Sequence, residues 1–489
     1  MGQQIDLVDY AIDRMRLPPY PHQVTALRAI TERDHYGLFL EMRTGKSKIV
    51  IDAACLTHHQ KSIDALVVVA PKGVYRTWLL DQLPTHLWED TPHKVEAWKS
   101  GAGAGQHKEY MKLLTFKGLA VFVVNIEAIA TAKCAEYLFH LMMNRRCMLV
   151  IDESSCIKNP SAARTKQAMK LARLSAYRLI LSGTPVTQGP LDLYSQLEFL
   201  HPGLSGSRSY FAFRAKYAIQ TAMRMGPRSF NKVVGFRNLH QLQVLLDAVS
   251  MSVKLADVRA DLPPKIYQVI QVELSPEHRK VYEDFRKNAV MKLGEQVVVS
   301  ATMALSVLAK LHQIVCGFAL RDDGTVLDLS DARLETLMEI LEQVQGKAVI
   351  FALHQLSVEQ IASALRLAYG AHSVVSYYGP TSEADRDLAR DKFQRDPTCR
   401  FFVGTAATAG EGLDLAAANV VVYYSNSYSL KQRLQSEARP FGPAQKDPVL
   451  IIDIVSPGTV DEKVVEALKN KADIASLLQS RGWRELLDN

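Results

Sequence analysis

The stretch that most restricts what this chain can fold into is Gly37-Leu-Phe-Leu-Glu-Met-Arg-Thr-Gly-Lys-Ser-Lys-Ile-Val-Ile51. An apolar run enters a short polar segment and leaves as a second apolar run, which predicts strand, tight turn and helix. Gly45 permits close backbone approach to an anion, and the amides of Thr44, Gly45, Lys46 and Ser47 face outward at the positive end of the helix. In that geometry Lys46 reaches the β- and γ-phosphates of a nucleotide and the Ser47 hydroxyl ligates Mg²⁺. The first glycine of the full phosphate-loop pattern is absent, because Leu40 occupies its place. Gly-Lys-Ser alone is common, and the alternative is a plain helix N-terminus.

Further apolar runs of strand length recur at helix-length intervals. Ala65 to Ala70 ends in Pro71-Lys72, Leu119 to Val124 in Asn125, Met148 to Ile151 in Asp152-Glu153, and Arg178 to Leu181 in Ser182-Gly-Thr-Pro185. Runs without alternation predict strands buried on both faces, hence a doubly wound parallel sheet of the α/β class with ligand loops at the strand C-termini. Asp152 is then placed to hold Mg²⁺ through water, and Glu153 to orient or deprotonate an attacking water. The hydroxyls of the Ser182 turn sit where a γ-phosphate can be sensed. Upstream, Leu17-Pro-Pro-Tyr-Pro-His-Gln23 gives an extended opening and then a helix. The planar amide of Gln23 suits an adenine edge, although a surface glutamine is the plainer assignment. Ser100-Gly-Ala-Gly-Ala-Gly105 is expected to be a surface loop, since no strand feeds it.

The 489 residues leave room for two or three domains, and 48% hydrophobic and 22% charged content describe a globular protein. Six scattered cysteines with no C-x-x-C pair predict reduced thiols, with neither a zinc site nor a disulfide framework. No secretory leader or membrane-spanning apolar run is expected. The net charge of +7 is local: residues 201–240 contain no acid but seven cations, Arg208, Arg214, Lys216, Arg224, Arg228, Lys232 and Arg237, with aromatics interleaved. A basic, aromatic segment suits a phosphate backbone; a solvated insert anchored by a few rings is the alternative.

Asp261-Leu-Pro-Pro-Lys265 marks a linker. A helical stretch follows, with Leu305, Leu308 and Leu311 at core spacing. A second α/β series runs from about Arg333, with strands at Ala348–Phe351, Val374–Tyr378, Arg400–Val403 and Asn419–Tyr424, and closes on Val449–Asp453. It has no second Gly-Lys-Ser, so it is expected to be a partner lobe and not a second ATPase. An amphipathic helical tail is expected beyond Val460.

The ordered set resembles the Swi/Snf type of superfamily-two helicase-like translocases, from about Leu17 to about Leu477. Gln23 matches that family's adenine-reading glutamine, and Leu40-to-Ser47 is similar to its phosphate loop, which also lacks the leading glycine. Val67-to-Trp78, Asp152-to-Asn159, the Ser-Gly-Thr-Pro turn with Leu193-to-Gly203, the Leu-Pro-Pro-Lys linker, Gly404-to-Leu415 and Gln435-to-Arg439 match further motifs. The resemblance implies two RecA-like doubly wound lobes with helical and basic insertions between them. The expected division is lobe one over 1–200, a basic insert over 201–260, a linker and helical region over 261–332, lobe two over 333–455 and a tail over 456–489. It implies ATP and Mg²⁺ as cofactors, with Gly410 and Gly412 also binding nucleotide, Arg439 acting as an arginine finger, and lobe closure driving movement along one strand of a duplex. The second arginine of the family's last motif is replaced by Gly442. It places Lys72, Arg76, Asn125, Gly379, Thr381 and Thr405 at loop ends that face nucleic acid, joined by Arg224, Arg228 and Lys232 of the insert. DNA, preferably duplex, is the implied partner of a monomer. The compact length resembles bacterial or bacteriophage members, acting in the bacterial or phage-infected cytosol. A strand-separating helicase, an RNA-dependent ATPase or a binding clamp with little turnover are the alternatives.

Overall fold

The computed structural model describes residues 7–187, 189–225, 228–258, 263–294, 301–321, 323–410, 413–441 and 445–470. The chain divides into two compact units, Met1–Ala260 and Asp261–Asn489.

The strands of the first unit are β1 (His35–Leu40), β2 (Ala65–Ala70), β3 (His93–Ala97), β4 (Leu119–Asn125), β5 (Cys147–Ile151), β6 (Tyr177–Leu181), β7 (Ala218–Met225), β8 (Arg228–Phe236) and β9 (Ser250–Val253). Seven form one sheet in the order β3-β4-β2-β5-β6-β1-β9, and every neighbouring pair is parallel. The apolar runs explain its burial. In β2, Val67 and Val69 enter one core with Phe122, Val124, Leu149 and Ile151, while Leu66 and Val68 enter another with Val121, Val123, Met148 and Val150. Alternate side chains thus fill two layers of helices, as a parallel sheet requires. Because all strands run one way, the loops after β4, β2, β5, β6 and β1 emerge along one edge.

Two strands escape a reading based on apolar runs. Strand β3 is an exposed-to-half-buried edge, and β9 has only its last residue buried. Strand β9 pairs with β1 from Gly37–Ser250 to Leu40–Val253, so the first sheet takes its other edge from within residues 201–260. That stretch also holds the helix Tyr210–Tyr217, whose Phe213 and Tyr217 are buried in the first core, and the antiparallel hairpin β7–β8. Arg214 and Arg237 donate to hairpin and helix carbonyls at Asn231, Ala215 and Lys216, so part of the basic charge is spent on the insert's own backbone. The glycine-rich 100–105 stretch is not wholly loop: the helix Ala104–Thr115 starts inside it, docked by buried Tyr110 and Leu113.

The second unit holds β10 (Lys265–Gln271), β11 (Phe318–Leu320), β12 (Val326–Asp328), β13 (Ala348–Phe351), β14 (Val374–Tyr377), β15 (Phe401–Gly404), β16 (Val420–Tyr423) and β17 (Val449–Val455). Six form a parallel sheet, β10-β17-β16-β13-β15-β14. Strand β17 does not close it, since β10 pairs along its full length. β10 is mostly exposed, which hides it among linker residues. The helices Pro276–Gly294, Ala301–Val315 and Val460–Lys469 share a core of Tyr282, Leu308, Leu311, Val460, Val464 and Leu468. The tail beyond 470 lies outside the described residues. No helix among them is long and apolar enough to cross a membrane.

Candidate active site

Strand β1 ends at Leu40 and the helix Lys46–His59 begins six residues later. Two residues between them, Arg43 (φ 67°) and Gly45 (φ 86°), lie in the left-handed region. A Cβ at Gly45 would sit 2.1 Å from Nε2 of Gln23, so glycine is required for backbone conformation and for space alike. Gln23 is buried and pinned at both ends of its amide. Its Oε1 accepts from the Tyr20 amide at 3.1 Å and its Nε2 donates to the Thr44 carbonyl at 3.1 Å. Each end keeps one further hydrogen-bonding position. His22 Nε2 lies 2.7 Å from the same carbonyl. Gln23 is therefore part of the loop's scaffold and not a surface glutamine. Thr44 is buried with its hydroxyl on the Glu41 carbonyl, and Lys46 Nζ donates to the carbonyls of Leu40 at 2.7 Å and Glu41 at 3.0 Å. Ser47 is half-buried in the first helical turn.

The order β5-β6-β1 brings the acidic pair and the Ser182 turn to the same edge. Asp152 is buried, with Oδ1 accepting from the Glu153 amide at 2.9 Å and Oδ2 from the Trp78 indole at 2.8 Å. Burial first, and then the Glu153 charge, push its carboxyl up to about 6, against the Trp78 hydrogen bond and the Lys46 charge. Glu153 is buried and itself left-handed, at φ 52°, a conformation that non-glycine residues adopt at a cost. Gly183 passes within 3.5–3.8 Å, measured from its would-be Cβ, of Leu40, Glu41 and Met42.

Sequence reasoning missed the side chains that tie these turns together. Ser154 donates to Gln196 Oε1 at 2.6 Å, and Gln196 Nε2 donates to the carbonyls of Pro185 at 2.8 Å and Asp192 at 2.9 Å. Lys158 bonds Thr187, whose amide and hydroxyl both donate to Asp192. The acidic turn and the Ser-Gly-Thr-Pro turn are thus cross-linked through the helix Leu193–Leu200. The Gln196 signal is present in Leu193-to-Leu200, but only packing assigns it a role.

Lys72 is exposed and Arg76 half-buried on the segment after β2. Asn125 ends β4 and accepts from the Ala128 amide. In the second unit, Gly379 and Thr381 follow β14 and Thr405 follows β15. Thr381 accepts from the Tyr378 amide and Thr405 donates to Thr408. Arg439 donates through Nε to the Gly410 carbonyl at 2.8 Å and through Nη1 to Leu413 at 3.4 Å. Gly412 and Gly442 lie outside the described residues. Arg224 pairs with Ser229, Met225 with Arg228 and Thr221 with Lys232 on the hairpin; the side chains of Arg224, Arg228 and Lys232 lie outside what the structure describes.

A phosphate-type loop, an acidic pair on the same sheet edge and a second parallel α/β unit define the class of two-lobed helicase-like nucleotide-binding proteins. A family model for the SNF2-related domain matches residues 22–319, and the helicase conserved C-terminal domain matches 332–441. The chain belongs to the SNF2-related family. It is 24% identical over 472 residues to the DNA annealing helicase and endonuclease ZRANB3 of Mus musculus, covering 96% of this chain and 41% of that protein. It is 25% identical over 348 residues to an uncharacterized ATP-dependent helicase of Mycoplasma pneumoniae, covering 70% of this chain and 32% of the relative. The chain therefore spans less than half the length of these relatives. The SWI2/SNF2 ATPase core of Sulfolobus solfataricus in complex with dsDNA aligns over 97% of this chain and 96% of its own, at 21% identity and a TM-score of 0.42.

Proposed function

We propose that this protein is an ATP-driven translocase that tracks on DNA, preferably duplex, as a monomer and remodels DNA or protein–DNA complexes in the cytosol. The observation that carries this is the placement of the Gly45 loop, Asp152 and Glu153 on one edge of one sheet, in a chain of the SNF2-related family. Lys46 and the helix N-terminus hold the nucleotide phosphates, and Gln23 offers its remaining donor and acceptor to adenine. Ser47 and Asp152 present hard oxygen donors suited to Mg²⁺, and the pinned Asp152 carboxylate is a fit for it. When bound, that ion neutralises charge on the phosphates. Glu153 takes a proton from the attacking water. Lys72, Arg76, Asn125, Gly379, Thr381 and Thr405, with Arg224, Arg228 and Lys232, contact the polynucleotide backbone.

One observation favours a slower protein. The Arg439 guanidinium is engaged by loop carbonyls at Gly410 and Leu413, as a residue that only holds a loop would be. We assign Arg439 as the finger that stabilises charge on the transferring phosphoryl group. ATP turnover is to be measured with duplex DNA, single-stranded DNA, RNA and no polymer. Stimulation by duplex above the others supports the translocase; preference for single strands or RNA assigns a helicase or RNA-dependent ATPase. An inactive parent that Gly442→Arg rescues would assign a binding clamp.

A further inference from the structure

Trp78 follows Arg76 by two residues on a segment expected to touch nucleic acid, yet its indole donates to the buried carboxylate at the site of hydrolysis. It is itself 1% exposed. The local backbone explains how it reaches there. The helix Tyr75–Thr77 runs directly into a π-helical turn, Trp78–Gln82, and then into Leu83–His86. The Leu83 amide bonds the Trp78 carbonyl, five residues back. Pro84 follows at once: it has no N–H to offer Leu80, and its ring crowds that carbonyl, which favours the wider turn. Single π turns inside helices are concentrated at functional positions. Widening the turn rotates the residues before it relative to those after it, and Trp78 is the first residue of the bulge. Lys72 and Arg76 precede it on the same segment. The groups that share Asp152 with Trp78 are Lys46 and Glu153, both already on the nucleotide side.

We propose that Trp78 is a positioning residue: through its indole N–H on Asp152, contact of the Lys72–Arg76 segment with a phosphate backbone is transmitted to the carboxylate, so that polymer and nucleotide are coupled inside the first unit. This rests on the translocase reading above. Coupling of this kind is reciprocal, so polymer must change nucleotide affinity by the factor that nucleotide changes polymer affinity.

The test uses the full chain, a short blunt DNA duplex and a fluorescent ATP analogue. Nucleotide affinity is measured with and without duplex, and turnover likewise, in the parent, Trp78→Phe and Pro84→Ala. Phenylalanine keeps most of the bulk and removes the donor. Pro84 is exposed, so alanine there relaxes the turn without touching a core side chain. In Trp78→Phe the affinity ratio and the duplex stimulation of kcat both fall by about ten-fold or more, the size of one hydrogen bond to a charged group, with KM for ATP in the absence of duplex changed little. Pro84→Ala shifts both ratios the same way, and it decides the matter should thermal unfolding show that Trp78→Phe is not folded. Adding Trp78→Phe to Lys72→Ala/Arg76→Ala produces no further loss of stimulation, because the residues act in one chain. Folded variants with parental ratios overturn the inference and leave the translocase standing. A parent whose affinity and turnover ignore every polymer overturns both.

Discussion

The two units share an architecture and differ in how they treat buried charge. In the first, Asp152 is buried beside a second carboxylate and held by an indole and an amide, and its carboxyl is pushed up to about 6. In the second, Asp461 is equally buried but lies 2.6 Å from Nη1 of Arg333 and 2.8 Å from Nε2 of His312. Burial alone would raise its carboxyl, yet Arg333 and then His312 hold it well below the usual carboxylate range. Arg333 also donates to the carbonyls of Tyr424, the residue after β16, and of Ile454 in β17. Nearby, Arg433 is bonded to Asp453, Glu437 and Asn426, which ties it into the fold and away from phosphate chemistry. Asp461, with a cationic partner at each oxygen, fixes structure; Asp152, for which no ion pair is seen among the described residues, suits the ligand role proposed for it.

The largest effect that sharpens this contrast is on turnover. Lys46→Ala is expected to abolish ATP hydrolysis, by a factor of about a thousand or more, with an unchanged circular dichroism spectrum. Glu153→Gln should lose about a hundred-fold or more in turnover while retaining ATP, because the amide keeps the shape and loses the base. A folded Lys46→Ala that hydrolyses normally removes the lysine from the mechanism.

Next is a matched pair of acids. Asp461→Asn should lower the urea-unfolding free energy of the second unit by about 3–5 kcal/mol, since it strands the buried Arg333. Asp152→Asn should leave stability unchanged or raise it while removing turnover, because its charged form is disfavoured by the fold. Equal destabilisation by the two substitutions would break the comparison.

A smaller effect belongs to the insert. Arg224→Glu, Arg228→Glu and Lys232→Glu together should weaken duplex binding and reduce the slope of log affinity against log salt, by about 0.9 for each phosphate no longer neutralised. A parental slope assigns these cations to solubility.

A pH effect, negligible near neutrality, is confined to the second unit. His354 has a buried Nε2 without a hydrogen-bond partner among the described residues. Burial, and then the His312 charge, push its imidazole down from 6.5 to about 3. Below pH 6.5 the unfolded chain binds a proton that the folded unit refuses, so stability falls as pH falls, by at most about 1.4 kcal/mol per unit down to about pH 3. His354→Phe, facing Phe318 at 5.7 Å, should flatten that decline; parallel curves for parent and variant would assign the acid sensitivity elsewhere.

By itself the sequence determined the central strands and the turns they carry. β2, β4, β5 and β6 are apolar almost without interruption because both faces are buried, and Gly45, Lys46, Asp152 and Glu153 stand where such runs stop. It also carried the family, through motifs whose order survives a low identity. Edge strands β3, β9 and β10 were not legible: nearly all their residues are half-buried or exposed, so no unbroken apolar run marks them, and only pairing with β4, β1 and β17 makes them strands. Nor could spacing reveal Trp78 on Asp152, Ser154 on Gln196 or Arg333 on Asp461, which lie 74, 42 and 128 residues apart. The physical reason is that a hydrogen bond or ion pair depends on the positions of two atoms to within a fraction of an ångström, and those positions follow from strand order and helix packing. Residue type supplied the donors and acceptors; the tertiary structure chose which of them meet.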